Sequence, residues 1–192
     1  MTHMKLASAA AIALLLSSGA IALTAIVFPQ TMQQALSHLV ASKAGESPYY
    51  QVIPGSVHDG DSLRVSDGRR EIKVVLCGID APELEQSLGT QSRDHLRSLV
   101  AKGDGRIVLV KTGIDKHGRT IADAFIPIGI EEEVHLNSQM LIDGMAYVYP
   151  EFISGCPNAA VMQQAEYTAK DSAIGVWGDS TALKPWDYRQ RS

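Results

Sequence analysis

Three acidic residues stand at the ends of two apolar segments that the sequence predicts to pair. Asp61 precedes the first segment, and Asp80 and Glu83 follow the second. A polar turn containing Ser-Asp-Gly separates the segments, which is the pattern of a β-hairpin. Because the start of one antiparallel strand lies beside the end of the next, the hairpin would bring the three carboxylates to one edge. Oxygen ligands of this kind suit a hard cation, Ca²⁺ or Mg²⁺.

The elements that must position these acids are short strands and a few helices. Apolar, β-branched runs bounded by turn residues predict five strands, at residues 50–53, 62–65, 72–77, 107–111 and 120–126. Helical spacing of apolar residues predicts helices at 90–101, 137–142 and 159–173. This pattern alone indicates an α+β protein with an antiparallel sheet.

Four sequence blocks, taken in order, resemble the staphylococcal (thermonuclease-type) nuclease family. They are Asp-Gly-Asp-Ser at 59–62, Gly-Ile-Asp-Ala-Pro-Glu at 78–83, Asp-Lys-His-Gly-Arg at 115–119 and Gly-Met-Ala-Tyr-Val-Tyr at 144–149. The resemblance covers roughly residues 50 to 177. It implies an α+β fold with a five-stranded, partly open OB-fold β-barrel and about three helices.

The resemblance also implies roles for residues that match the motifs of the family. Asp61 and Asp80 match carboxylate ligands of one Ca²⁺ ion, and Ala81 would add its backbone carbonyl. Glu83 matches the general base that activates a water for attack on phosphorus, and Arg119 matches the arginine that holds the scissile phosphate. Each role has an alternative: Asp61 and Asp80 would cap turns, Glu83 would be a solvated loop acid, and Arg119 would form a surface ion pair.

Substrate contacts follow from the same resemblance. Tyr147 and Tyr149 match the tyrosines beside the nucleotide base and the 5′ phosphate, and stacking on an aromatic face would accept any base. Tyrosines at alternate positions also fit strand residues that are simply half-buried. Lys116, in the loop before Arg119, and Lys73 are further candidates for phosphate contacts.

One position departs from the pattern of the family. The family carries a second arginine five residues before the second calcium-binding aspartate, where this chain has Val75. Lys73 points to the same side of the strand but lies about 7 Å away along it, and a lysine lacks the bidentate fork of an arginine. Because losing a charge that stabilises the transition state typically costs about 3–4 kcal/mol, we expect a slow nuclease.

The composition limits how the protein could hold nucleic acid. The chain has 192 residues, enough for one sizeable core, and a formal net charge of −4. Phosphate contacts must therefore come from local basic residues rather than from bulk attraction. We expect an exported, monomeric Ca²⁺-dependent nuclease that acts on single-stranded DNA or RNA with little sequence preference. The alternative is a catalytically impaired nucleic-acid-binding OB-fold module of the same family.

The first 28 residues differ in composition from the rest of the chain. No charged side chain occurs in residues 6–28, and as a helix this run would span roughly 34 Å, enough to cross a bilayer. An uncleaved anchor, a signal peptide cleaved near 18–20 and a buried core helix are the alternatives. A linker at 29–49 and the nuclease-like domain at 50–192 would follow. An anchor would hold the domain on the outer side of the inner membrane; a cleaved signal would leave it periplasmic or secreted.

The chain has two cysteines, Cys77 and Cys156. Both fall near the predicted active-site edge, and an exported protein can retain a disulfide. A bridge between them would close a long loop and would constrain the unfolded chain by about 3–5 kcal/mol. Free buried thiols are the alternative.

Overall fold

A computed structural model describes residues 49–129 and 132–191. Within these residues the chain forms eight strands and four helices. In order they are β1 (Tyr50–Val52), β2 (Ser62–Ser66), β3 (Glu71–Leu76), β4 (Ile79–Asp80), α1 (Gly89–Lys102), β5 (Arg106–Ile114), β6 (Thr120–Pro127), β7 (Glu133–His135), α2 (Leu136–Ile142), β8 (Tyr147–Val148), α3 (Ala159–Asp171) and α4 (Pro185–Arg191). Short 3₁₀ turns occur at Ile153–Gly155 and Gly175–Trp177.

Five of the strands close into a barrel. Neighbouring strands follow the order β3, β2, β1, β5 and β6, and β6 returns to pair with β3. The β3–β6 pair is parallel, and the other four pairs are antiparallel. Outside the barrel, β7 pairs with β6, and β4 pairs with β8 in a separate two-stranded sheet. The predicted α+β class and five-stranded OB-fold barrel are confirmed.

The hairpin predicted from the sequence is formed by β2 and β3. Leu63 of β2 lies opposite Val74 of β3, and both are buried in the barrel. Since side chains alternate between the two faces of a strand, Lys73 and Val75 lie on the outer face. Gly68 in the connecting turn has a φ of 87°, a left-handed conformation that glycine adopts without strain.

A disulfide joins Cys77 to Cys156, as the sequence predicted. It connects the residue after β3 to the segment before α3, and both cysteines are buried. The alternative of free thiols is therefore wrong. The bond fastens the predicted active-site edge of the barrel to the C-terminal half of the domain.

The N-terminal predictions fall outside the described residues. The apolar segment at 6–28 and the linker at 29–49, except for its last residue, belong to the part of the chain that is not described. Among the residues that are described, none of the helices is both long and apolar enough to span a bilayer. The domain boundaries, the anchor or signal peptide, and export therefore stay predictions.

Candidate active site

The loop before β2 is shaped by hydrogen bonds to one carboxylate. Asp59 Oδ1 accepts hydrogen bonds from the N–H groups of Asp61 (3.2 Å) and Ser62 (2.7 Å), and its Oδ2 accepts one from the Ser62 hydroxyl (2.8 Å). This is an Asx-type turn. Gly60 is needed here because a Cβ atom would clash with Ser92 of α1. Both oxygens of the Asp59 carboxylate accept hydrogen bonds within the turn, and these bonds fix the backbone that carries Asp61.

Asp61 lies directly beside the segment that carries the other two acids. Its Oδ2 accepts a hydrogen bond from the N–H of Ala81 at 2.8 Å, and its backbone carbonyl accepts one from Leu76 at 2.9 Å. Asp80 ends β4, whose pairing with β8 places it opposite Tyr147. The hairpin thus brings Asp61 to the edge that holds Asp80, which is the geometry expected from the sequence.

Glu83 follows in the loop between β4 and α1. Its backbone N–H donates to Oε1 of Gln86 at 2.9 Å, and its carbonyl accepts a hydrogen bond from the Gln86 N–H at 2.9 Å. Gly89 packs so closely that a Cβ atom would clash with the Glu83 carbonyl. The backbone is therefore held firmly, while the Glu83 side chain remains 33% exposed.

The acids at this edge disfavour one another's ionisation. Burial raises the pKa of Asp61 well above its ordinary value, and the negative charges of Asp59, Asp80 and Glu83 raise it further. Burial also raises the pKa of Asp80, although Arg189 opposes this change. Hard oxygen donors that carry excess negative charge fit a divalent cation such as Ca²⁺.

An arginine that the sequence analysis did not single out contacts two of the acids. Arg189 of α4 donates from Nη1 and Nη2 to the two carboxylate oxygens of Asp80, at 3.0 and 2.7 Å, and from Nη1 to Oε1 of Glu83 at 2.8 Å. The hydrogen bonds to Asp80 are the largest cause of a pKa of Arg189 above its ordinary value, so the guanidinium stays charged. Because 109 residues separate Arg189 from Asp80, no local sequence pattern indicates the contact.

Arg119 is held by an acid in its own loop. Its Nε donates to Asp115 Oδ2 at 2.7 Å, and its backbone N–H donates to Asp115 Oδ1 at 2.8 Å. The side chain of Arg119 is 39% exposed, and Lys116 in the same loop is exposed. The ion pair uses the Nε–H group of Arg119 and holds the side chain beside its own loop.

A cavity of about 350 Å³ brings Arg119 together with Lys73. In the parallel pairing of β3 with β6, Val74 lies opposite Thr120. This brings together the residues just before them, Lys73 of β3 and Arg119 at the end of the loop that leads into β6. His58 and Ser62 also line the cavity. Because the Ser62 hydroxyl donates to Asp59, this end of the cavity lies beside the turn that presents Asp61.

Comparison with known proteins identifies the family of this chain. A family model described as "Staphylococcal nuclease homologue" matches residues 73–179. The chain belongs to the staphylococcal nuclease family. The prediction made from the four sequence blocks is confirmed.

Several relatives of this staphylococcal nuclease family member are similar over most of its length. The micrococcal nuclease of Shigella flexneri is 32% identical over 138 residues, which cover 70% of this chain and 77% of the relative. An uncharacterized endonuclease of Escherichia coli O157:H7 is 34% identical over 136 residues, covering 70% and 82%. The staphylococcal-like nuclease CAN1 of Arabidopsis thaliana is 30% identical over 121 residues, covering 63% of this chain and 34% of the relative.

The two tyrosines of this family member have different surroundings. Tyr147 is 2% exposed, its hydroxyl donates to the Val176 carbonyl at 3.1 Å, and Lys184 Nζ lies 3.6 Å from its ring centroid. It is a core residue, and this burial is incompatible with the predicted stacking on a nucleotide base. Tyr149 is half-buried, and its ring lies parallel to that of Trp186 with centroids 5.3 Å apart. A base that stacked on this face would have to displace Trp186.

One other group of residues could suggest a metal site in this domain. Among the described residues, Cys77, Asp123 and Cys156 have potential ligand atoms that all lie within 4.8 Å of one another. The two sulfurs are bonded to each other, so neither is a thiolate that could bind a metal. Asp123 accepts hydrogen bonds from the backbone N–H and the side-chain amide of Asn158, at 3.3 and 2.7 Å. This cluster is structural, and the candidate ligands remain the acids at the barrel edge.

Proposed function

We propose that this protein is a nuclease that hydrolyses phosphodiester bonds in single-stranded DNA or RNA with the help of one Ca²⁺ ion. Its family and its named nuclease relatives support the hydrolysis of nucleic acid. One observation carries the proposal: Asp61, Asp80 and Glu83 meet at one edge. Asp61 accepts a hydrogen bond from the N–H of Ala81, the residue after Asp80. The guanidinium of Arg189 contacts both Asp80 and Glu83.

The oxygen donors at this edge would hold the cation. Asp61 and Asp80 supply carboxylates, and Ala81 supplies a backbone carbonyl, the donor type that Ca²⁺ prefers. When bound, the ion would supply positive charge that favours the ionised form of a water and stabilises the charge on phosphorus oxygens. The raised pKa values of Asp61 and Asp80 are consistent with a site that gains from added positive charge.

The protein's own side chains would perform the remaining work. Glu83 is partly exposed on a firmly held loop, so its carboxylate can take the proton of the attacking water. As the bond from the water oxygen to phosphorus forms, the bond from phosphorus to the leaving oxygen breaks. Arg119, oriented by Asp115, would bind the scissile phosphate and the leaving oxygen.

The cavity lined by Arg119, Lys73 and His58 offers a local basic surface for neighbouring phosphates. Contacts with the phosphate backbone do not depend on base identity, which supports a nuclease with little sequence preference. Val75 leaves the outer face of β3 without the second arginine expected there, and we propose that catalysis is slow for this reason.

Cleavage of a single-stranded oligonucleotide by the full-length protein tests this function. We expect cleavage with Ca²⁺, loss of cleavage with a chelator, and a decrease of about 10²–10⁴-fold in Glu83→Gln. Glu85→Gln is a matched control, because it makes the same change two residues away at an exposed position, and it should cleave like the wild type. Cleavage that persists with chelator, or is equal in Glu83→Gln and the wild type, would contradict the proposal.

A nucleic-acid-binding protein that does not cleave is the second candidate. The absence of an arginine at Val75 favours it, and so does Arg189, which occupies Asp80 and Glu83. This candidate predicts that the oligonucleotide binds but stays intact at every Ca²⁺ concentration. Gel shift and cleavage measurements on the same samples separate the two functions.

We also propose that the domain is exported and monomeric. Residues 6–28 carry no charge, and a membrane anchor or a cleaved signal peptide would both place the domain outside the cytoplasm. N-terminal sequencing of the protein from membrane and soluble fractions distinguishes the two. An intact chain found only in the cytosol would contradict export, and a dimer in sedimentation would contradict the monomer.

A further inference from the structure

Helix α4 places a guanidinium on the acids that the proposed reaction uses. Arg189 donates to both carboxylate oxygens of Asp80, and Nη1 also donates to Glu83. Both oxygens of a candidate metal ligand and one oxygen of the candidate base are therefore already paired. A cation that binds Asp80 must compete with Arg189 for the same atoms.

The position of α4 is fixed by contacts with the body of the domain. The ring of Trp186 lies parallel to that of Tyr149, at an angle of 2° and a centroid distance of 5.3 Å, and it meets Tyr147 edge-on at 6.1 Å. Before the helix, the Gln86 side chain donates to the Leu183 carbonyl at 2.9 Å. Arg189 thus reaches the acids from a supported helix rather than from a loose terminus.

The ion pair is nevertheless replaceable. The side chain of Arg189 is 42% exposed and that of Glu83 is 33% exposed, so solvent reaches the pair that these two form, and such pairs contribute little to stability. The side chain of Asp80 is only 6% exposed, so its carboxylate needs a positive partner, which a bound cation would supply as Arg189 leaves. A divalent cation attracts the same carboxylate oxygens with twice the charge. Release from Asp80 would leave a charged guanidinium at the edge where substrate phosphate is expected.

We propose that Arg189 is a substrate-binding arginine of this active site, held on Asp80 and Glu83 until a divalent cation takes those oxygens, and then paired with the phosphate of the bound nucleotide. This inference rests on the proposed function. A guanidinium presents two parallel donors that match carboxylate and phosphate oxygens equally well. The exchange of partners therefore needs a change of side-chain rotamer, while Trp186 stays on Tyr149.

The balance of charge supports this exchange. The Asp59 carboxylate accepts hydrogen bonds in its turn but keeps its negative charge. Asp61, Asp80 and Glu83 add three negative charges, and a divalent cation carries two positive ones. The phosphate of a substrate adds further negative charge at the same edge. Arg189 is the guanidinium that the structure already holds there, and its positive charge offsets this excess.

Two binding measurements on the full-length protein test the proposal. Calorimetry gives the affinity for Ca²⁺ alone, and a second titration gives the affinity for a nucleoside 3′,5′-bisphosphate in saturating Ca²⁺. For Arg189→Ala we expect Ca²⁺ affinity that is equal or higher, because a competitor is gone, and nucleotide affinity lower by about tenfold or more. Arg191→Ala removes an exposed arginine from the same helix and should match the wild type in both titrations.

Each other outcome overturns the proposal in a different way. Unchanged nucleotide affinity with tighter Ca²⁺ binding would mean that Arg189 only competes with the cation for Asp80 and Glu83. Weaker Ca²⁺ binding in Arg189→Ala would make it a structural support of the metal ligands. If circular dichroism shows that Arg189→Ala does not fold, Arg189→Lys carries the test, since it keeps the charge but lacks the fork; an unchanged nucleotide affinity would then overturn the proposal.

The same experiment separates this inference from the proposed function. A wild-type protein that binds neither Ca²⁺ nor the nucleotide defeats both. A wild-type protein that cleaves nucleic acid with Ca²⁺, beside an Arg189→Ala variant that binds the nucleotide equally well, defeats only the role of Arg189.

Discussion

Asp80 and Asp123 are both buried aspartates, with 5% and 0% exposure, but the two regions around them satisfy the carboxylates differently. Asp123 accepts two hydrogen bonds from Asn158, and Nε2 of His135 lies 3.6 Å from its Oδ2. Asp80 is paired with Arg189, which is partly exposed on the last helix. The partners of Asp123 lie inside the fold, and the partner of Asp80 is a partly exposed side chain.

The pKa values of Asp123 and Asp80 reflect this difference in their partners. Burial raises the pKa of Asp123, but contacts with His135 and Asn158 outweigh it, and the pKa lies below its ordinary value. Burial raises the pKa of Asp80, and Arg189 only partly offsets this. The contacts of Asp123 thus outweigh the effect of its burial, although its Oδ1 has no hydrogen-bond partner among the described residues. The contacts of Asp80, the proposed metal ligand, do not outweigh its burial.

The largest expected effect distinguishes the two acids by activity. Asp80→Asn should lower the cleavage rate by about a hundredfold or more, because a metal ligand is lost. It should cost little free energy of unfolding, because the pKa of Asp80 is raised in the fold and the partly exposed Arg189 stays solvated. Asp123→Asn is the matched control, with unchanged activity per folded molecule but a destabilisation of about 1–3 kcal/mol. Cleavage assays and urea unfolding measure both. Equal activity of the two variants would contradict the proposed difference between a metal ligand and a structural acid.

The second prediction concerns the disulfide beside Asp123. Cys77 and Cys156 are 79 residues apart, and the entropy model assigns a bridge across such a loop about 4–5 kcal/mol of stability. The double variant Cys77→Ala, Cys156→Ala should lose a large part of this in urea unfolding, as should the reduced wild type. A loss below about 1 kcal/mol would contradict the role of this region as the fixed one.

A third prediction uses the missing arginine at Val75. If Arg189 already supplies a guanidinium, Val75→Arg should raise the cleavage rate of the wild type by less than about tenfold, and that of Arg189→Ala by more. Single and double variants assayed together give this coupling. A gain that is equal in both backgrounds would show that the two positions act independently.

The smallest expected effect is a difference in pH dependence, measured in chelator. The folded-state pKa of Asp123 is lowered, so its stabilising contribution is present above the unfolded-state pKa and is lost as pH falls through the folded-state pKa. The folded-state pKa of Asp61 is raised, so stability falls as pH rises from the unfolded-state pKa through the folded-state pKa.

Replacing each acid with asparagine removes its own contribution to the pH dependence. Urea unfolding of the wild type, Asp123→Asn and Asp61→Asn between about pH 3 and pH 7 covers the ordinary carboxyl range. Asp123→Asn should lose less stability than the wild type on acidification, and Asp61→Asn should lose less as pH rises. Deviations of the same sign in both variants would contradict the comparison.

The sequence predicted those parts of the fold that depend on local patterns. The alternation around Leu63 and Val74 specifies the hairpin, and the hairpin alone brings Asp61 to Asp80. The bridge between Cys77 and Cys156 was also predictable, because the chain contains just two cysteines. The barrel itself required the family resemblance, since the pattern of strands does not determine how they close.

The features that the sequence did not predict depend on contacts between distant segments. Tyr147 and Tyr149 alternate along the chain, but which of them is buried is decided by Trp177 and Trp186, which lie far along the chain and pack against them. Arg189 lies near the end of the sequence, and its partners are more than a hundred residues away. Such pairings carry no periodic signal in one sequence.

The central claim is that cleavage requires a cation bound by Asp61 and Asp80. The most direct test measures the rate of oligonucleotide cleavage against free Ca²⁺ concentration and compares it with calorimetric Ca²⁺ binding to the same protein. We predict that one ion binds, that the rate saturates over the concentration range in which it binds, and that Asp61→Asn shifts both curves together to higher Ca²⁺. Cleavage at full rate before the ion binds, or binding unaffected by Asp61→Asn, would contradict the account.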